Sequence, residues 1–138
     1  MKLRIGNEKD KEYILRIRPH AEPLLERSSY FLVAEEDDML AFAVVMRRNV
    51  EAPVSAMEAF VNVIEVFDEC NYCKGIASCL VQKIVEIEKE SNTYQIRAYC
   101  DINNVASHRL WQKNGFGISP VKESNGQIPG SFVTFVCK

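Results

Sequence analysis

Three observations make the sequence a mixed α/β fold. Short apolar runs rich in β-branched and aromatic residues recur along the chain, three segments carry apolar residues at helical spacing, and together they alternate as β-α-β-β-β-α-β-α-β-β. The 138 residues suit one domain spanning 1–138 and leave little room for a second. A chain of this length buries roughly two-thirds of the surface it exposes unfolded, enough for a self-sufficient core.

In order, "KLRI" reads as a short first strand. Asn7 or Asp10 then caps a helix over "KEYILRIR", whose apolar face is Tyr13, Ile14 and Ile17. Pro19 and Pro23 bracket a break, after which "LLERSS" adds a helical turn or two. "YFLVAEE" and "MLAFAVVMRR" are two strands joined across the acidic turn "EEDD", residues 35–38. "SAMEAFVNVIEVF" is a third long strand, with Glu58, Asn62 and Glu65 interrupting its apolar run. The helix that follows Gly75 carries Ile76, Leu80, Ile84 and Ile87 on one stripe, widened by Ala77, Val81 and Val85. "TYQIRAYC" is a strand, "VASHRLWQKN" a helix stopped by Gly115, and "FGISPV" and "SFVTFVC" a last strand pair.

Bulk properties exclude several functions. Hydrophobic residues at 47% and charged residues at 26% are ordinary for a soluble globular protein. A net charge of −2 and a pI near 5.7 give no field to hold a polyanion, so nucleic acid is not the expected partner. No run approaches the ~18 apolar residues of a membrane span, and the charged start "MKLRIGNEKDKEYILRIR" lacks a signal peptide's apolar stretch. A cytoplasmic protein without a membrane partner is expected. The five cysteines are an odd number in apolar surroundings and read as small core residues of a reducing compartment. Cys70 and Cys73 have the spacing of half a zinc site, but no second pair completes it, and no metal is expected.

The chemistry concentrates where "ECNYCKGIASCLVQKIVEIEK" turns from loop into helix. The first turn of a helix presents free N–H groups and the positive end of its dipole, which favour an anion. Gly75 has no Cβ to keep a phosphate from the backbone, Ala77 keeps the first turn thin, and Lys74 adds a positive charge. Lys74, Gly75, Ile76, Ala77 and Ser78 therefore read as a pyrophosphate cradle.

Downstream stands "NVASHRLWQKNGF", residues 104–116. With "KGIAS" before it, this resembles the GCN5-related N-acetyltransferase (GNAT) family, which moves an acyl group from acyl-coenzyme A to an amine. Gly75 and Ala77 match the small positions of the family's acyl-CoA signature, and Asn104, Ser107, Trp111, Gly115 and Phe116 match its later motif in register. The resemblance implies the acyl-CoA N-acyltransferase fold: a mostly antiparallel mixed sheet of about seven strands, splayed centrally and flanked by helices. It implies acetyl-CoA as cosubstrate, its pantetheine arm along the strand edge at Val66 and Phe67, and its diphosphate on the cradle with Tyr72 and Cys73 beside it. Asn104, Ser107 and Trp111 would meet it from the second helix.

Two positions depart from the family pattern. Tyr72 stands where the signature arginine is usual, and Trp111 where many members carry a tyrosine that protonates the leaving thiolate. An indole N–H is no acid near neutral pH. Glu65, near the end of the strand bounding the cleft, is the candidate general base, with Glu58 behind it. The expected function is acetyl or short-acyl transfer to a primary amine of a small molecule or peptide, by direct attack in a ternary complex. The alternative is a weak or inactive acyl-CoA-binding module of the same fold. Loops 19–29, 49–55 and 122–130 are where the choice of acceptor is expected, and the acceptor itself is not legible. The sequence leaves monomer and homodimer both open.

Overall fold

A computed structural model describes residues 1–50, 56–72, 74–101, 103–121 and 130–137. Its elements run β1 (Lys2–Ile5), α1 (Glu8–Ile17), a 3-10 turn (Pro19–Ala21), α2 (Glu22–Glu26), β2 (Tyr30–Glu35), β3 (Met39–Val50) and β4 (Ala56–Val66). A second 3-10 turn (Glu69–Asn71) leads to α3 (Ile76–Glu90), β5 (Gln95–Asp101), α4 (Val105–Lys113), β6 (Gly117–Val121) and β7 (Gly130–Val136). The strands form one seven-stranded sheet in the order β1-β2-β3-β4-β5-β7-β6. Every pairing is antiparallel except that of β4 with β5. No described helix is long and apolar enough to cross a membrane.

The element order, the mixed sheet and its central opening agree with the sequence reading. The opening has a local cause. On β3, Val44 lies opposite Val63 and Val45 opposite Val61, so Asn62 is an extra, unopposed residue: a β-bulge on β4. The parallel pairing of β4 to β5 runs from Glu58↔Gln95 to Val61↔Ala98 and stops one residue before that bulge. Beyond it, residues 63–66 stay paired to β3 but have left β5.

Two cores hold the sheet. α3 and α4 cover one face through Leu32, Val45, Val61, Leu80, Ile84, Ile96 and Trp111, while α1 and α2 cover the N-terminal half of the other through Ile14, Leu25, Val33, Phe42 and Phe67. Of the predicted α3 stripe, Ile76, Leu80 and Ile84 are buried with Val81, while Ile87 is half-buried. Burying four such side chains is worth about 6–12 kcal/mol gross. The predicted apolar face of α1 is narrower: Ile14 is fully buried, but Tyr13 and Ile17 are 37% and 38% exposed. That helix is fixed from its start instead. Asn7 and Asp10 form a capping box, and Arg4 bridges Asp10 to Glu35 with bonds of 2.6 and 2.8 Å to the former and 2.8 and 3.0 Å to the latter.

Candidate active site

The split between β4 and β5 is a cleft of about 800 Å³. One wall is the free edge of β4. Phe67 N–H donates to Leu40 O at 2.8 Å, so in the antiparallel alternation Glu65 and Val63 also turn their main-chain groups to β3. Ile64 and Val66 turn theirs to the cleft. The other walls are the start of α3, the end of β5 and the first turns of α4.

Gly75 is the N-cap of α3 at φ +79° and ψ 10°, a left-handed conformation that L side chains rarely adopt. It has no side chain to accept from the first-turn amides, and a Cβ built there meets nothing within 4 Å. Gly75, Ile76, Ala77 and Ser78 all line the cleft, so the donor end of a long helix opens into it uncapped. Asn104 caps α4 by accepting from Ser107 N–H at 3.0 Å, and its carbonyl accepts from His108 Nδ1 at 2.8 Å. Asn104, Ser107 and Trp111 all reach the cleft wall, as do Val66 and Tyr72.

Several predicted site residues sit elsewhere or are already engaged. Phe67 does not line the cleft: its ring packs on Tyr13 and Phe42 in the second core, and its carbonyl accepts from Asn71 Nδ2 at 3.2 Å. Its buried position follows from strand parity, which puts residues 63, 65 and 67 toward α1. Lys74 is exposed and outside the wall. Cys73 and the loop segments 51–55 and 122–129 lie outside the described residues. Glu58 is 1% exposed and away from the cleft, its carboxylate held by Arg48 Nε at 2.7 Å and Gln95 Nε2 at 2.7 Å. Glu65 does line the cleft. Arg18 Nε stands 2.7 Å from its Oε2, off the line of a hydrogen bond, so that oxygen is ion-paired without one.

Trp111 is 4% exposed and packs against Phe116 with the rings tilted and their centres 4.8 Å apart, which makes it a packed wall. Behind it, Cys100 Sγ lies 3.2 Å from Ser107 Oγ, and burial pushes the Cys100 thiol up. A neutral core thiol is no nucleophile. Among the described residues no group of three or more His, Cys, Asp or Glu could hold a metal ion.

The sequence model of the acetyltransferase (GNAT) family matches residues 4–116. The chain belongs to that family. Solved structures with the same fold include a Bacillus subtilis acetyltransferase in complex with CoA, at 19% identity and TM-score 0.73, covering 98% of this chain and 97% of that one. The Salmonella typhimurium protein yncA with its cofactor acetyl-CoA is 18% identical at TM-score 0.74, covering 99% and 94%. An N-acetyltransferase from Staphylococcus aureus Mu50 is 23% identical at TM-score 0.71, covering 99% and 98%. No curated protein sequence matches this GNAT chain.

Proposed function

We propose that this chain is an N-acetyltransferase that uses acetyl-CoA to acetylate a primary amine by direct attack in a ternary complex. One observation carries the reading: a single cleft joins an uncapped helix start to a strand edge with unpaired amides. The amides of Ile76, Ala77 and Ser78 fit a diphosphate, with Gly75 giving it room. The edge at Ile64 and Val66 fits the amide-bearing pantetheine arm, and Trp111 and Ser107 close the far side. The GNAT structures solved with CoA or acetyl-CoA support the choice of cosubstrate.

Acetyl-CoA supplies a thioester whose C–S bond breaks as the amine's N–C bond forms; of the two protons the ammonium loses, one ends on the thiolate and one in solvent. The bulge at Asn62 frees main-chain donors at the head of the cleft, where preorganised N–H groups stabilise a developing oxyanion. Glu65 is the proposed acceptor of the amine's proton, held in place by Arg18. No tyrosine replaces Trp111 in α4, and a thiol that titrates near about 8.5 leaves as a thiolate without one. The same reading takes the chain as one domain and places it in the cytoplasm.

The test is a melt with and without acetyl-CoA. A ligand at a hundred times its Kd adds about 2.7 kcal/mol, roughly 8 °C for a domain of this size. An unmoved Tm at millimolar acetyl-CoA sinks the reading. Release of free thiol with an amine panel then separates an enzyme from a binding module, which would show the shift and no thiol.

A further inference from the structure

We propose that the acceptor is a small amine that also carries a carboxylate, held by Arg97 on the half of the sheet that no described helix covers. This rests on the acetyl-transfer reading and names the substrate class for the same cleft. The helices leave one approach to the split. α3 and α4 occupy one face, and α1 and α2 cover only the N-terminal half of the other. On the remaining half-face stand Phe60 of β4, Arg97 and Tyr99 of β5, and Phe132 of β7, none of them a member of either core. Their parity is opposite to that of Ala59, Val61, Ile96, Ala98 and Val133, which face α3 and α4.

Among the described residues, this half-face carries one more positive than negative charge at its floor. The Glu58 carboxylate receives Arg48 Nε at 2.7 Å, Gln95 Nε2 at 2.7 Å and, at a long 3.5 Å, an Arg97 terminal nitrogen. Two guanidinium groups thus share one carboxylate. Arg97 makes no other polar contact among the described residues; its guanidinium lies 4.4 Å over the Phe132 ring, which Tyr99 meets edge-on at 5.3 Å. A guanidinium stacked and held in place keeps donors for a planar anion.

The mouth has the opposite sign. Tyr99 is the first β5 residue past the last β4 pair, and Asp101 stands exposed two residues beyond it on the same face. Glu65 faces it across the split. Arg97 and Asp101 are four residues apart, about 13 Å along the strand. Between them a zwitterion lies with its ammonium at the cleft and its carboxylate inward, its body on Phe60 and Phe132. One surplus positive charge suits a carboxylate better than a doubly charged phosphate. A second ammonium there would meet both guanidiniums.

The experiment compares kcat/KM for 6-aminohexanoate, whose two charges stand at opposite ends of the molecule, with pentylamine, which lacks only the carboxylate, alongside phosphoethanolamine and 1,4-diaminobutane. A preference for 6-aminohexanoate of at least about tenfold over each is expected, the worth of a hydrogen bond to a charged group. Arg97→Gln should collapse that ratio mainly through KM, and Arg97→Lys should keep most of it. Both variants retain the Arg48 and Gln95 bonds to Glu58, and an unchanged acetyl-CoA melting shift confirms that each is folded. Equal or better use of pentylamine, the phosphoamine or the diamine overturns the proposal, as does an Arg97→Gln loss that is equal for carboxylated and neutral amines. If no amine turns over, 6-aminohexanoate must still raise Tm in the presence of CoA where pentylamine does not; no such difference also overturns it. Failure with the acetyl-CoA shift intact condemns only the acceptor class, whereas a missing shift condemns the cosubstrate reading.

Discussion

Gly75 carries the demand that a left-handed N-cap makes on sequence: φ +79° with open space around the missing Cβ. Gly75→Val meets no clash but must adopt a backbone that costs about 1–2 kcal/mol, and its side chain stands where an anion would approach. We expect a lower Tm and loss of the acetyl-CoA shift, both read from one pair of melts. Glu65→Gln should leave that shift in place and lower kcat by about 10²-fold, the low end for a lost general base; a change under threefold would assign the proton to a water path. Gly75 was legible because only a few residue types suit a thin, anion-facing helix start. Phe67 was misread because a strand's parity at its end depends on the bulge at Asn62, which no local pattern announces. The Arg18–Glu65 pair was hidden for a related reason: its partners lie 47 positions apart and meet only across α1 and the sheet.

Among the helices, α3 shows how a buried charge can fix an element. Glu88 is fully buried and accepts from Tyr30 Oη at 2.6 Å, Thr93 Oγ1 at 2.8 Å, and Arg47 Nη2 and Nε at 2.9 and 3.0 Å. Burial pushes its carboxyl up, but the bonds from Arg47, Tyr30 and Thr93 outweigh burial and hold it below the usual range. A carboxyl with a folded pKa below its unfolded one lends stability that is complete above about pH 4.3 and fades as pH falls through the folded value. Glu88→Gln should cost about 3 kcal/mol at pH 7 by stranding Arg47 and should flatten the acid limb of stability, as denaturant melts from pH 7 to 3 would show. On β4, Ile64 and Val66 amides should exchange quickly in the free protein and slow at least tenfold with acetyl-CoA, while those of Glu65 and Phe67, bonded to β3, change little. Equal protection of all four would remove the strand edge from the site. The stripe of α3 was readable from period alone. Glu88 was not, since a glutamate near a helix end reads as solvated until the tertiary partners are known.

The whole molecule is two half-sheets joined by four parallel residue pairs, Glu58↔Gln95 to Val61↔Ala98, and by α3. Element order and sheet class could be read from sequence because each strand has its own pattern. The width of the split could not, because it follows from a register offset between β3 and β4 that only pairing reveals. That offset also constrains how the protein can change. On either side of Asn62, residues of opposite parity face α3: Ala59 and Val61 before it, Ile64 and Val66 after it. Deleting Asn62 would leave Ala59, Val61, Ile64 and Val66 alternating regularly on the α3 face and would remove only the offset. One deletion can therefore straighten this edge without turning a core side chain outward. Point substitution cannot, so descendants of this chain that lose activity by substitution keep the gap.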